Sequence, residues 1–418
     1  MKNSKHLFLT SLLVAATTSV FAQSDEVPTA YGWLDSDTWA AQNGATSRRG
    51  LASFPLSDAT DITVSRELTY GNSLASAVFY DGLWYYMDYV QQSYGYDSGT
   101  FNSLDPEKGD VTLIADYGSA RSGTILCDMT WNYADQKMYA LNGLNSGNGL
   151  VTIDLETGEV KNVCTFVFDI PDAESTSSYT SNIQTIGITY DGDFYGISYW
   201  GKIYKINPQT GVCNFVAKLS YIGEITSYSG TALQYGHNNL FFDEDRGQWY
   251  LYMYTYPYPA AGYTMLLTVD ITTGVTEVVA ENKLAAQFEG LYIPFQIAEA
   301  SAPNKVTELT VTPGENGALQ ATVEWNNPTT TFGRGGTLIS IDSVVVYRDG
   351  EAIKNFTGVA PGEHLSLVDE VPESRFYSYR VQCYNDAGAG DRKAVSAFIG
   401  HDTPMAVTNV KAEADDSP

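Results

Sequence analysis

Histidine is nearly missing from this chain. Four occur in 418 residues, at positions 6, 237, 364 and 401. There is no His-Glu-x-x-His pair, no histidine-rich cluster and no Cys/His spacing of a zinc site, which excludes the common metallohydrolase signatures. A Gly-x-Ser-x-Gly nucleophile turn, a phosphate-binding glycine loop and a dinucleotide fingerprint are absent as well. A Ser-His-Asp site would have to use His237, which reads more simply as a loop residue. The four cysteines, at 127, 164, 213 and 383, form no Cys-x-x-Cys and no disulfide framework. Cys127 and Cys164 fall in one repeat and could pair, whereas Cys383 reads as a buried thiol on a strand.

Positive charge is scarce too. Lys and Arg number 23 against 49 Asp and Glu, for a net charge of −26. Such a field disfavours nucleic acid and anionic membrane surfaces, and is compatible with neutral glycans or calcium. The longest apolar run, Leu7 to Val20, is too short to span a bilayer. Lys2 and Lys5 precede it and Val20-Phe21-Ala22 follows, so residues 1–22 read as a bacterial-style secretory signal cleaved after Ala22. No Cys follows the cleavage point, which argues against a lipid anchor. Cleavage takes two Lys and no acid, leaving 21 basic against 49 acidic residues, or −28. The expected location is outside the cell or on its surface.

What the chain has in abundance is tyrosine, 30 residues against 17 Phe, and a phrase that returns five times. An apolar strand ends in Asp or Asn, turns over four residues to Gly and re-enters as an apolar strand. It reads Leu104-Asp105-Pro106-Glu107-Lys108-Gly109, Ile153-Asp154-Leu155-Glu156-Thr157-Gly158, Ile206-Asn207-Pro208-Gln209-Thr210-Gly211 and Val269-Asp270-Ile271-Thr272-Thr273-Gly274. A worn copy is Pro55-Leu56-Ser57-Asp58-Ala59-Thr60-Asp61. Between these turns lie second hairpins, such as Leu74–Tyr80 with Leu83–Tyr89 around Asp81-Gly82, and Gln184–Tyr190 with Asp193–Tyr199 around Asp191-Gly192. Each unit is thus four antiparallel strands, a to d, which is a propeller blade.

Full blades read 73–116, 126–166, 184–219 and 239–282. Phe288–Ile293 reads as a lone strand a, and 31–68 as strands without one. Together they make a fifth, split blade that closes the ring and removes the free edge. The expected fold is therefore all-β: a five-bladed β-propeller over 31–297, closed by a split blade. In its Asp-x-x-Thr-Gly turns it resembles the PQQ- and YncE-like repeat families, a likeness that implies no cofactor.

Beyond Pro303 the pattern changes to short alternating strands: Val306–Thr312, Ala318–Trp325, Ile339–Arg348, Leu365–Val371 and the run from Tyr377 to Gly388. These read as a β-sandwich. Trp325 before Pro328, Tyr377 at a tyrosine corner, and Tyr379-x-Val381-x-Cys383-x-Asn385-x-x-Gly388 carry a resemblance to the fibronectin type III family over about 304–400. Residues 404–418 repeat its opening and read as the start of a second, truncated copy.

The chemistry-bearing candidates are few. Asp128 and Glu289 lie on strands a, where a propeller channel can hold paired carboxylates for glycoside hydrolysis. Calcium is conceivable at Asp191-x-Asp193 or Asp243-x-Asp245-x-Gly247, although Asp in a hairpin turn is ordinary turn chemistry. The two faces of the ring differ. Turns a–b and c–d are short; connections b–c and d–a are long and aromatic. Tyr94, Tyr96, Tyr199, Trp200, Tyr256, Tyr258 and Tyr263 leave the long-loop face and are the expected ligand-binding residues. The leading expectation is a non-catalytic binding or adhesion protein whose long-loop face holds an extracellular glycan or protein, with the sandwich as spacer. The alternatives are a glycan-active enzyme with carboxylates in the channel, and a structural surface module.

Overall fold

Alternating apolar residues between glycine-closed turns make strands, and strands are almost all the chain forms. The computed structural model describes residues 27–36, 48–68, 73–92, 96–121, 126–142, 149–169, 183–220, 238–255, 263–282, 286–333 and 335–401. Among these there is no α-helix, only a 3-10 turn at Glu315–Gly317. No described helix is long and apolar enough to cross a membrane.

One device builds the recurring turns. Asp154 Oδ1 accepts from the backbone N–H of Glu156 at 3.0 Å and of Thr157 at 2.8 Å, and from the Thr157 hydroxyl at 2.8 Å. Gly158, at φ 70°, then donates to the Asp154 carbonyl at 2.8 Å. Asp105, Asn207 and Asp270 do the same with Gly109, Gly211 and Gly274. A short polar side chain supplies the acceptor, and glycine supplies the left-handed φ. The worn copy keeps only the first half: Asp58 Oδ1 takes the N–H and hydroxyl of Thr60.

The hairpin at Asp81-Gly82 has both residues at positive φ, 49° and 79°, as a type I′ turn requires. At Asp191-Gly192 only Gly192 does, at 89°, and its N–H reaches Thr189 O at 2.9 Å. The preceding strand therefore ends at Ile188, two residues before the expected Tyr190.

From Thr29 to Tyr292 the strands form antiparallel sheets. Ser73–Tyr80, Leu83–Gln92, Tyr96–Leu104 and Val111–Arg121 make one; Cys127–Asn132, Lys137–Leu141, Gly149–Ile153 and Val160–Thr165 make the next. Asn239–Asp243, Gln248–Thr255, Tyr263–Val269 and Thr276–Asn282 follow the same order. The sheet of Ile183–Ile188, Phe194–Ser198, Lys202–Ile206 and Val212–Lys218 gains an extra strand, Val167–Phe168, parallel to Val212–Lys218. The sequence reading left that segment in a loop. It caps an outer edge whose backbone groups would otherwise be unpaired. Gln287–Tyr292 pairs with Thr29–Ser36, setting Tyr31 opposite Tyr292 and Leu34 opposite Phe288, and the sheet continues through Gly50–Pro55 to Thr63–Glu67. This is the pairing of 287–296 with 31–68 expected of a sheet drawn from two distant segments. The first strands lie side by side in the order Ser73–Tyr80, Cys127–Asn132, Ile183–Ile188, Asn239–Asp243, Gln287–Tyr292, and the last returns to the first. The architecture is a β-propeller, with its apolar layers between neighbouring sheets.

The remaining compact unit is a sandwich. One sheet runs Thr307–Pro313, Gln320–Asn326, His364–Glu370; the other runs Glu351–Thr357, Ser343–Arg348, Arg375–Asn385, Gly388–Ile399. Trp325, Val344, Tyr379 and Cys383 are fully enclosed between them. Trp325 Nε1 donates to Asn327 Oδ1 at 3.1 Å, and the Tyr377 hydroxyl donates to Glu373 O at 3.0 Å. All four cysteines are free thiols, including Cys127 and Cys164.

Candidate functional site

The inner strands are apolar where they back onto their own sheets, but each carries a polar residue near its start. Those residues stitch the ring. Ser76 Oγ donates to Leu126 O at 3.1 Å. Asp128 Oδ2 accepts from Ile186 N–H, and Thr185 Oγ1 accepts from Leu240 N–H at 2.9 Å. Asn239 Nδ2 donates to Phe288 O at 2.8 Å, while its Oδ1 accepts from Leu291 N–H at 3.1 Å. The last step is a backbone approach: a Cβ on Gly290, at φ 64°, would lie 2.3 Å from Ala77 O. Buried backbone groups that belong to no ladder are satisfied in this way.

Asp128 is the unusual member of this belt. It sits at a bulge, where the pairing of Cys127–Asn132 with Lys137–Leu141 shifts between Cys127 and Thr130, and its φ is 49°. Non-glycine residues rarely take that conformation, and backbone strain of this kind concentrates at functional sites. Desolvation raises the Asp128 carboxyl well above the ordinary carboxylate range. The Glu289 charge pushes the same way, and bonds from Ile186 N–H and the Thr185 hydroxyl oppose it. Glu289, on Gln287–Tyr292, is buried. The Cys127 thiol is raised chiefly by burial, with both carboxylates adding to the shift.

A cavity of about 110 Å³ runs along the inner strands, and both Asp128 and Glu244 line it. Its walls are Met129, Ile186, Leu240 and Leu291, together with Phe79, Trp131, Tyr133, Tyr292 and Phe295. The aromatic rings gather where the strands end in tight turns. Tyr80 stacks on Trp131 at 3.6 Å, and Phe295 packs against Tyr133 at 5.3 Å and Tyr190 at 5.6 Å. Asp128 lies at the opposite, starting end of its strand. Burial pushes the Tyr133 hydroxyl up to about 12, with Tyr80 and Glu244 adding to it. The Trp131 Nε1 is buried without a hydrogen-bond acceptor. Glu244 accepts from Tyr190 N–H at 2.6 Å.

Sequence reading singled out Asp128 and Glu289 and missed Glu244. The Asp243-x-Asp245-x-Gly247 pattern drew attention to the alternating acids and away from the residue between them. The available signal was position: Glu244 directly follows the last residue of an inner strand. Among the described residues no group of three or more His, Cys, Asp or Glu stands together as a metal site, and Asp193 is paired with Lys205 Nζ at 2.9 Å. His237 lies outside the described residues.

Of the aromatic candidates, Tyr94, Tyr256 and Tyr258 lie outside the described residues. Tyr96 opens the strand Tyr96–Leu104, and Tyr263 opens Tyr263–Val269. Tyr199 and Trp200 form the turn after Phe194–Ser198, their rings edge to face at 5.2 Å. Neither lines the cavity.

No family model matches the chain, and no curated protein does. Solved structures do. The catalytic domain of a GH62 α-L-arabinofuranosidase from Coprinopsis cinerea is 10% identical, over 63% of this chain and 86% of that one, with a TM-score of 0.35. An α-L-arabinofuranosidase (CtGH43) from Clostridium thermocellum is 14% identical, over 79% and 94%, with a TM-score of 0.33. The α-L-arabinofuranosidase PaAbf62A from Podospora anserina, solved with cellotriose, is 9% identical, over 63% and 86%, with a TM-score of 0.32. Likeness at this level assigns neither activity nor substrate.

The expectation of a non-catalytic binding or adhesion protein is corrected at this point. The cavity is lined by two acids, Asp128 and Glu244, whereas Tyr199 and Trp200, on which the binding reading leaned, are not among its lining residues.

Proposed function

We propose that this chain is a glycan-active enzyme that hydrolyses glycosidic bonds in its central channel. The observation that carries the reading is a buried carboxyl, Asp128, lining a cavity along the inner strands and raised by desolvation and by a second acid, Glu289. Glycoside hydrolysis uses such a division of labour: a protonated acid delivers its proton to the leaving oxygen, and a second carboxylate activates water or attacks carbon. Asp128 is the proton donor in this scheme. Glu289, whose charge acts on Asp128, helps to keep that proton in place and is the second carboxylate, while Glu244 lines the tight-turn end of the cavity. The strained φ of Asp128 and the aromatic walls support the same assignment.

The propeller has five blades closed by the split sheet, supported by the cyclic order of its inner strands. The sandwich is a fibronectin type III domain that acts as a spacer, supported by its strand order and by the Tyr377–Glu373 bond. The enzyme is exported, with residues 1–22 as signal and an extracellular glycan as substrate. The aromatic long loops, Tyr199 and Trp200 among them, hold the polymer beyond the residue being cleaved.

The test compares two kinds of substrate. Asp128→Asn should lower kcat on unactivated oligosaccharides by roughly 100-fold or more, the usual worth of a positioned acid. It should lower kcat far less on p-nitrophenyl glycosides, whose leaving group needs no proton. Equal losses on both would remove Asp128 from the acid role. Absence of hydrolysis across a broad glycan panel would remove the catalytic reading altogether.

A further inference from the structure

We infer that Thr185 is a positioning residue for Asp128: its hydroxyl donates to that carboxyl from the next inner strand, fixes its orientation and decides how readily it gives up its proton. This rests on the acid role given to Asp128 above, but it is read from a titration and needs no turnover.

Thr185 stands where an apolar residue is expected. It lies on Ile183–Ile188, among Ile183, Ile186 and Ile188, and it is completely buried. Valine has the same shape and no hydroxyl to desolvate, so a threonine buried there costs free energy unless its oxygen and its proton are both used. Both are. Thr185 Oγ1 accepts from Leu240 N–H at 2.9 Å, and the Thr185 hydroxyl donates to the Asp128 carboxyl. A hydroxyl has one proton, and Leu240 N–H can only donate, so the Thr185 proton is directed back to Asp128. The described bonds of Ser76 and Asn239 run to the following inner strand. Thr185 instead joins three inner strands: Cys127–Asn132, its own, and Asn239–Asp243.

The Asp128 carboxyl thus takes donors from two consecutive residues of one strand, the Ile186 N–H and the Thr185 hydroxyl. Asp128 itself sits on a bulge, so its direction is set by the neighbouring strand and not by its own ladder. Both donors favour the ionised carboxylate and oppose desolvation and the Glu289 charge. The backbone N–H belongs to every residue type at 186 except proline. The hydroxyl belongs to the side chain, and this makes Thr185 the adjustable part.

The other titratable groups on the packed strands are accounted for. The Cys127 thiol is next to Asp128 on its own strand, and Gln287–Tyr292 brings Glu289 and Tyr292. Ser73–Tyr80 brings Tyr80, and Ile183–Ile188 brings none. On Lys137–Leu141, Tyr139 donates to Asp135 at 2.6 Å and Lys137 pairs with Asp135 at 3.8 Å, at the tight-turn end. Glu244 and Tyr133 line the cavity.

The experiment follows the Asp128 carboxyl by NMR in the full chain, with isotopically labelled aspartate carboxyls assigned by difference from Asp128→Asn. Thr185→Val keeps the shape and removes the donor. It should move the Asp128 midpoint upward by about one pH unit, the effect of losing one hydrogen bond to a charged group. Thr185→Ser keeps the hydroxyl and should titrate within about 0.3 pH unit of the wild type. Thr185→Val should also melt lower at every pH, because Leu240 N–H loses its acceptor. A purely structural role would give that fall without moving the midpoint. Should Thr185→Val not fold, Thr185→Cys takes its place, and its weaker S–H donor should give a smaller upward shift. An unmoved midpoint in the variant that folds overturns the inference, and so does a Thr185→Ser midpoint displaced as far as that of Thr185→Val. With a hydrolysed glycan, the high-pH limb of kcat should move up with the midpoint. A shifted midpoint in a chain that hydrolyses nothing would sink the catalytic proposal and leave this one standing. Hydrolysis that depends on Asp128, with a midpoint indifferent to Thr185, would do the reverse.

Discussion

Asn239 is the residue on which ring closure can be tested most directly. It is 3% exposed and spans the junction between Asn239–Asp243 and Gln287–Tyr292 with two hydrogen bonds, to Phe288 O at 2.8 Å and from Leu291 N–H at 3.1 Å. Asn239→Ala removes both at once and strands a buried carbonyl and a buried N–H. Two neutral bonds at about 1 kcal/mol each, plus the penalty for groups left unsatisfied, come to about 2–4 kcal/mol. For a domain of this size, with Tm moving about 2–4 °C per kcal/mol, the melting temperature should fall by roughly 5–15 °C. Asn239→Asp should be at least as damaging, because a carboxylate cannot donate to Phe288 O and would sit near Glu289. Scanning calorimetry of the full chain measures the fall. Hydrogen exchange read by mass spectrometry locates it: amides of Gln287–Tyr292 should exchange faster, while those of Arg375–Asn385 in the sandwich should not change. A Tm shift below about 1 °C, or exchange unchanged in Gln287–Tyr292, would refute the idea that this side chain latches the ring.

Asp128 should impose a pH slope on stability. Its folded carboxyl is raised, so the native state keeps a proton that the unfolded chain releases, and stability is lost as pH rises from the ordinary carboxylate range through the folded value. Asp128→Asn should therefore gain on the wild type as pH rises above the ordinary carboxylate range of about 4 in thermal melts; parallel curves would contradict the burial argument. Tyr377→Phe should lower the stability of the sandwich by about 1 kcal/mol in urea titration, the worth of the lost bond to Glu373 O. Gly290→Ala should destabilise by more than about 2 kcal/mol, since a left-handed φ alone costs an L-residue 1–2 and the new Cβ meets Ala77 O; wild-type stability would mean that this approach is looser than described.

Much of the architecture was legible because its causes are local. The Asp154 turn satisfies itself within five residues, so the phrase Asp-x-x-Thr-Gly carries its own geometry wherever it occurs. Period-2 alternation exposed the strands. The orphan run Phe288–Ile293 pointed to a partner in 31–68 because a sheet edge left open is a liability. Trp325 and Tyr377 were readable for a similar reason: one large ring and one corner hydroxyl need burial and a nearby carbonyl in any sandwich.

The site was legible only in part, and the reason is physical. Alternation assigns a side chain to a face, but a bulge breaks alternation, and Asp128 sits at one with φ 49°. Its carboxyl is turned onto Ile186 N–H of the next inner strand by that local break, which no periodicity encodes. Glu244 reads as one acid among several in a turn until the ring curls that turn over the same cavity as Asp128. Whether the Asp128 carboxyl holds a proton depends on how much water neighbouring strands exclude and on Glu289, which approaches from a distant stretch of chain. The aromatic loops drew the functional reading because composition is visible in sequence. The cavity did not, because a cavity is made of distances between segments that only the closed ring brings together.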